Sequence, residues 1–176
     1  MVYERFDRSD HDYMIEMESR IEILPEKNLI GKRLKMSLNN NKTFELWHDF
    51  MPQRKKIQNK VSTDLFCIQV YDHLFDFKDF NLDTEFEKWA AVEVSIMDNV
   101  PEGMEHYSLQ GGLYAVFLYK GVPSAFHELF QYIHYSWLPS SEYRLDNRVH
   151  FEILGDKYKN NDPDSEEEVW IPIKLR

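Results

Sequence analysis

Two glutamates stand inside alternating apolar runs, where a carboxylate is more than solvated surface. Glu152 lies in Val149-His150-Phe151-Glu152-Ile153-Leu154. Successive strand residues point to opposite faces, so Val149, Phe151 and Ile153 share one face. Glu152 must then share the other with His150 and Leu154. Glu93 lies in Trp89-Ala90-Ala91-Val92-Glu93-Val94, and alternation groups it with Trp89 and Ala91. A tryptophan, a small residue and an acid suit a pocket wall, and they suit an exposed sheet face equally well. A carboxylate among aromatic rings attracts a cation by charge and by cation–π contact. Two carboxylates in one cleft would also supply a general acid and a general base, provided their environments split their pKa values. Tyr71, Tyr114 or Tyr143 would then orient water or a substrate oxygen.

Other chemistries find less support. The histidines form no set with a carboxylate or cysteine at metal-ligand spacing. Gly111-Gly112 and Gly121 bracket a strand without a phosphate-loop pattern. Ser136, Ser140 and Ser141 lack the context of a nucleophile elbow. Cys67, the single cysteine, sits in Leu65-Phe66-Cys67-Ile68 and reads as a small buried hydrophobe. No metal and no cofactor are expected.

The elements that must position these residues follow from periodicity. Residues 20–24 and 29–38 read as strands around a turn at Pro25. Thr43 is a candidate cap for a helix with Phe44, Leu46, Trp47, Phe50 and Met51 at helical spacing, which Pro52 should kink or restart. Strands follow at 65–71 and 87–96, separated by an acidic, Phe-rich connection. Val100-Pro101-Glu102-Gly103 echoes Leu24-Pro25-Glu26-Lys27, and the plan then repeats. Strands at 104–109 and 113–119 precede a helix opened by Pro123 and Ser124, carrying Phe126, Leu129, Phe130 and Ile133, and ending near Trp137-Leu138-Pro139. Strands at 148–154 and 168–175 close it. The expected fold is α+β: two pseudo-symmetric strand-strand-helix-strand-strand units, 19–99 and 100–176, sharing one antiparallel sheet with two helices on one face. A groove between the helices is the natural place for a small molecule. Residues 1–18 show no element pattern and are expected to be poorly ordered.

A length of 176 residues fits a single domain. The formal charge is −10, from 31 acidic against 21 basic residues, and the one basic cluster is Arg54-Lys55-Lys56. Phosphate neutralisation needs more clustered cations than that, so no direct nucleic-acid binding is expected. No apolar run reaches a membrane span, and residues 1–12 carry no signal-peptide pattern. With one cysteine, the expectation is a cytoplasmic protein. Aromatics reach 15%, in keeping with an aromatic core or an aromatic-lined pocket.

The second half carries a more specific likeness. Gly112-Leu113-Tyr114-Ala115-Val116-Phe117, then Lys120-Gly121, Trp137-Leu138-Pro139, Phe151-Glu152-Ile153 and Trp170-Ile171-Pro172-Ile173-Lys174 occur in order. This series resembles the GyrI-like family, which also supplies the effector-binding half of AraC-type and multidrug-responsive transcription activators. The resemblance implies the paired-unit fold (SOUL/GyrI-like) and an aromatic pocket whose glutamate, here Glu152, meets cationic or amphipathic compounds. It implies a stand-alone member that senses or sequesters such a ligand. Two alternatives come with it. One is a hydrolase opening cyclopropane-containing xenobiotics with Glu152 and Glu93 as catalytic carboxylates. The other is a protein-interaction module such as a gyrase modulator, with a protein partner. The expected ligand contacts are Glu152, Glu93, Trp89, Tyr114, Trp47, Tyr71 and Trp137.

Overall fold

A computed structural model of the chain describes residues 18–72 and 79–176. Apart from Glu18, the expectation for residues 1–18 lies outside the described residues, as does part of the Phe-rich connection. The first half forms β1 (Glu18–Leu24), β2 (Lys27–Met36), α1 (Thr43–Gln53), β3 (Leu65–Val70) and β4 (Phe86–Val94). The second forms β5 (Glu105–Leu109), β6 (Gly112–Lys120) and α2 (Phe126–Tyr132). A π turn (Ile133–Trp137) leads from α2 to a final turn, α3 (Leu138–Ser140). Then come β7 (Tyr143–Leu145), β8 (His150–Leu154) and β9 (Glu166–Leu175).

The strands make one antiparallel sheet in the order β1-β6-β9-β8-β3-β4-β2-β5, with β7 paired to β9. The order reads the same from either edge once the halves are interchanged. Each half lends its first strand to the other: β1 pairs with β6, and β5 pairs with β2. The turn equivalent to Leu24-Pro25-Glu26-Lys27 is therefore Leu109-Gln110-Gly111-Gly112. The sequence echo at Val100-Pro101-Glu102-Gly103 falls instead in the link between halves. Proline-glycine chemistry marks both turns and cannot tell their places apart.

The sheet curls. Tyr114 on β6 and Phe151 on β8 are separated by β9, about 10 Å across in a flat sheet. Their ring centroids are 5.4 Å apart. The inner face thus closes on itself as one core of Leu24, Leu29, Phe66, Trp89, Leu109, Tyr114, Phe151 and Trp170, among others, drawn from both edges and the centre. The outer face carries the helices. α1 seals a cluster built on Leu46, Phe50, Ile57, Phe86 and Val92. α2 and the turns after it seal another built on Phe117, Leu129, Ile133, Leu138 and Ile171.

Two local expectations change. Thr43 is the first helical residue and does not cap α1: Lys42 holds the cap position without a side-chain bond. The Thr43 hydroxyl is taken up elsewhere, accepting a hydrogen bond from Lys88 Nζ at 3.3 Å. Pro52 sits in the last turn of α1, which passes into a 3-10 turn over Arg54–Lys56.

Gly31 lies in β2 with β4 close against it. A Cβ there would run into the carbonyl oxygen of Ala90 and the methyl of Ala91. Backbone and a buried alanine give little ground, so Gly31→Ala is expected to cost roughly 1–3 kcal/mol, read from urea denaturation midpoints.

Candidate functional site

Between the two helix-covered clusters lies a strip of outer sheet face formed by β3 and β8. A buried strip of this kind would ordinarily be apolar. Here register assembles the opposite. Cys67 on β3 faces Glu152 on β8 and Ala90 on β4; one step along, Gln69 faces His150 and Lys88. Ile153 pairs with Glu168, which brings Glu167 beside the Leu154 end of the strip. Gln69, Lys88, Glu152 and Glu167 are all half-buried, and Cys67 and His150 are buried.

Glu152 is held from one side by a relay. The Tyr71 phenol donates to Gln69 Oε1 at 3.2 Å, and Gln69 Nε2 donates to Glu152 Oε1 at 3.2 Å. A series of ring contacts bridges the gap between the two halves at this end. Phe86 meets Tyr71 at 5.3 Å, and Tyr71 meets Phe80 at 6.3 Å. Phe80 meets Phe130 at 6.4 Å and Phe130 meets His134 at 4.1 Å, while the rings of His134 and His150 lie parallel, 6.2 Å apart. His134 belongs to the π turn after α2, a distortion frequent at functional sites.

Burial shifts the protonation of these groups. It raises the Tyr71 phenol, assisted by the charge of Glu152. It depresses His134 to about 4, and burial with the neighbouring His134 depresses His150 to about 3, so both imidazoles are neutral at physiological pH. The Glu167 carboxyl is pushed up to about 8, by burial first and by Glu152 second, despite the nearby Lys88. Burial opposes the Lys88 charge, yet Cys67, Glu152 and Glu167 together keep its ammonium above the usual range. At neutral pH the strip therefore presents a Lys88 ammonium and a protonated Glu167.

Glu167 gives a direct stability test. Its folded pKa lies above its ordinary value, so the folded state holds a proton that the unfolded state releases, and stability falls as pH rises from about 4.5 to about 8. Glu167→Gln should remove that fall. In urea denaturation, the variant's stability relative to wild type should rise between about pH 6 and about pH 9.

Tyr71 and Glu152 are the two expected contacts that the fold brings together here. Glu93 is elsewhere: Ala90 shares Glu152's face, so Glu93, three residues on, must face inward. There it accepts a 2.8 Å ion pair from Lys27. Trp89 is in the inner core, against Tyr107 at 5.0 Å and beneath Arg33 at 5.5 Å. Tyr114 is there too, its hydroxyl donating to the Gln110 carbonyl at 3.2 Å. Trp47 packs edge-on against Phe50 under α1, and Trp137 edge-on against Phe117. Glu93 and Glu152 thus lie on opposite faces of the sheet, and the carboxyl near Glu152 is that of Glu167. Gln69, Lys88 and Glu167 were not singled out from sequence. Among the described residues, no group of three or more His, Cys, Asp or Glu is placed to hold a metal ion.

The GyrI-like small molecule binding domain matches residues 17–174 of the chain. Among solved structures, SAV2435 bound to tetraphenylphosphonium superposes with a TM-score of 0.59 at 17% identity, over 89% of this chain and 94% of that one. The C-terminal domain of EcmrR gives a TM-score of 0.65 at 12% identity, over 91% and 99%. A hydrolase from Listeria innocua gives 0.57 at 13% identity, over 89% and 92%. At these identities the likeness is one of fold. A comparison with curated proteins gives no match.

Proposed function

Since the chain belongs to the GyrI-like small molecule binding domain family, we propose that it senses or sequesters an aromatic, cationic or amphipathic compound in the groove between its helices. Glu152 is the anionic contact, and the rings from Tyr71 to His134 form the apolar wall. One observation carries this reading: Glu152 sits half-buried at the centre of the sheet, beside rings from both halves, with neutral donors as its hydrogen-bond partners, Gln69 Nε2 at 3.2 Å and the Cys67 thiol. A carboxylate there costs folding free energy unless it has a partner. A bound cation or donor is such a partner. That SAV2435 has been seen with tetraphenylphosphonium makes this lipophilic cation the natural first probe.

A second reading rests on Glu167. A protonated carboxyl near an ionised one is the division of labour that hydrolysis requires. Glu152 would take a proton from water attacking a strained, electrophilic ring. Glu167 would deliver one to the oxygen of the opening group. Such turnover would need Glu167 protonated, so it would be lost as pH rises through about 8.

Both readings meet one experiment. Purified protein is mixed with a panel of aromatic cations and cyclopropane-bearing electrophiles, with thermal shift reporting binding and mass spectrometry reporting products. Stabilisation without product supports the binding domain. Product supports the hydrolase. If no compound binds or reacts, a protein partner becomes the better account of the family fold.

A further inference from the structure

The groove holds a cation of its own, Lys88, which Glu152 and Glu167 favour through space without a direct ion pair among the described residues. Lys88 projects from β4 onto the strip beside Cys67 and donates to Thr43 Oγ1 at 3.3 Å. Among the described residues no carboxylate oxygen lies within 4.0 Å of its ammonium. Two other half-buried lysines of the first half are treated differently. Lys27 meets Glu93 at 2.8 Å and Lys32 meets Asp49 at 2.6 Å. An ammonium withdrawn from water without a counter-ion is costly, and an ammonium has three protons to donate.

The strand register adds a second observation. The pseudo-two-fold axis of the sheet passes between Cys67 and Glu152, which face each other. Rotation about it carries Gln69 onto Leu154, and the β4 neighbour of Gln69, Lys88, onto the β9 neighbour of Leu154, Glu167. The two halves thus place an ammonium and a carboxyl at equivalent positions on either side of Glu152. Lys88 offsets Glu152, and Glu167 holds its proton at neutral pH. The floor is then dipolar with no net charge. A plain cation meets Lys88 repulsion there, whereas a molecule carrying both charges meets a partner for each.

We propose that Lys88 is a second ligand contact and that the groove selects aromatic zwitterions, with the cationic end on Glu152 and a carboxylate or similar anion on Lys88. The inference rests on the groove being the ligand site, and it narrows the class of ligand that site takes.

A rhodamine dye with a free carboxylate and the methyl ester of the same dye serve as probes, one a zwitterion and the other a cation. Fluorescence anisotropy titrations of wild type, Lys88→Met and Lys88→Arg give the affinities. Wild type should bind the free acid about tenfold more tightly than the ester. Lys88→Arg should keep the preference, and Lys88→Met should abolish it while gaining affinity for the ester. Equal affinity for both dyes in wild type overturns the role of Lys88 and leaves the groove standing. Binding of neither dye removes both. The wild-type comparison needs no variant, so a poorly folded Lys88→Met does not blunt the test.

Discussion

Glu152→Gln is expected to weaken tetraphenylphosphonium binding by about 10- to 100-fold while leaving the fold intact. The substitution keeps the shape and the acceptor oxygen that Gln69 uses. It removes the charge. A charge-assisted contact in a partly desolvated site contributes about 1.5–3 kcal/mol, which corresponds to that range. Thermal stability without ligand should hold or rise slightly, because a half-buried carboxylate becomes a neutral amide. Isothermal titration calorimetry reads the affinity and scanning calorimetry reads the stability. Glu93→Gln is the control: Glu93 faces the other side of the sheet and pairs with Lys27, so binding should not change. Equal loss in both variants would mean that general surface charge, and not the groove, attracts the cation.

Arg148→Met is expected to give the largest loss of stability. The Arg148 side chain is 9% exposed and binds Asp146 Oδ2 at 2.7 Å. It also donates to the carbonyls of Gly111 at 3.3 Å, Leu113 at 2.7 Å and Ile173 at 3.1 Å. Its guanidinium lies 4.5 Å from the centre of the Tyr114 ring. One side chain thus ties the β5–β6 turn and β6 to β9. Gly112 leaves room for it: a Cβ there would strike the guanidinium, and its φ of +138° favours glycine in any case. Methionine would keep the stem but strand three carbonyls and leave Asp146 with only Lys174 at 3.1 Å and the Asn147 N–H at 2.9 Å. Breaking a buried pair of this kind costs about 3–5 kcal/mol, which for a chain of this size lowers the melting temperature by roughly 10 °C. A shift of only about 2 °C would mean that water replaces the guanidinium at little cost.

What was legible in the sequence differs between fold and site for a physical reason. Alternation and helical spacing are local, so β1 to β6, β8 and β9 and the two helices lie close to their expected places. The short β7 escaped because Tyr143–Leu145 is three residues long, too short for a period to register. The π turn escaped because one extra residue per turn leaves no mark on an apolar pattern such as Ile133 to Leu138. The site depends on which strands are neighbours and in what register, and that is not local. Glu152's own face was readable from Val149 to Leu154. That Glu93 lies on the opposite face follows only once Cys67 is known to pair with both Ala90 and Glu152. Lys88 and Glu167 read like ordinary strand-surface charges until the fold brings them to the groove. Trp89 and Tyr114 looked like pocket walls because aromatic rings line cores and pockets alike; the curl of the sheet turned them inward.

The central claim is that the outer face between α1 and α2 is where the ligand sits. A crystal structure of the protein with tetraphenylphosphonium tests it most directly. The account predicts the phosphonium over Glu152, with its phenyl groups against Tyr71 and the rings beyond it and with both helices at its sides. Density for the cation on the inner face, or only against surface acids away from β3 and β8, would contradict it.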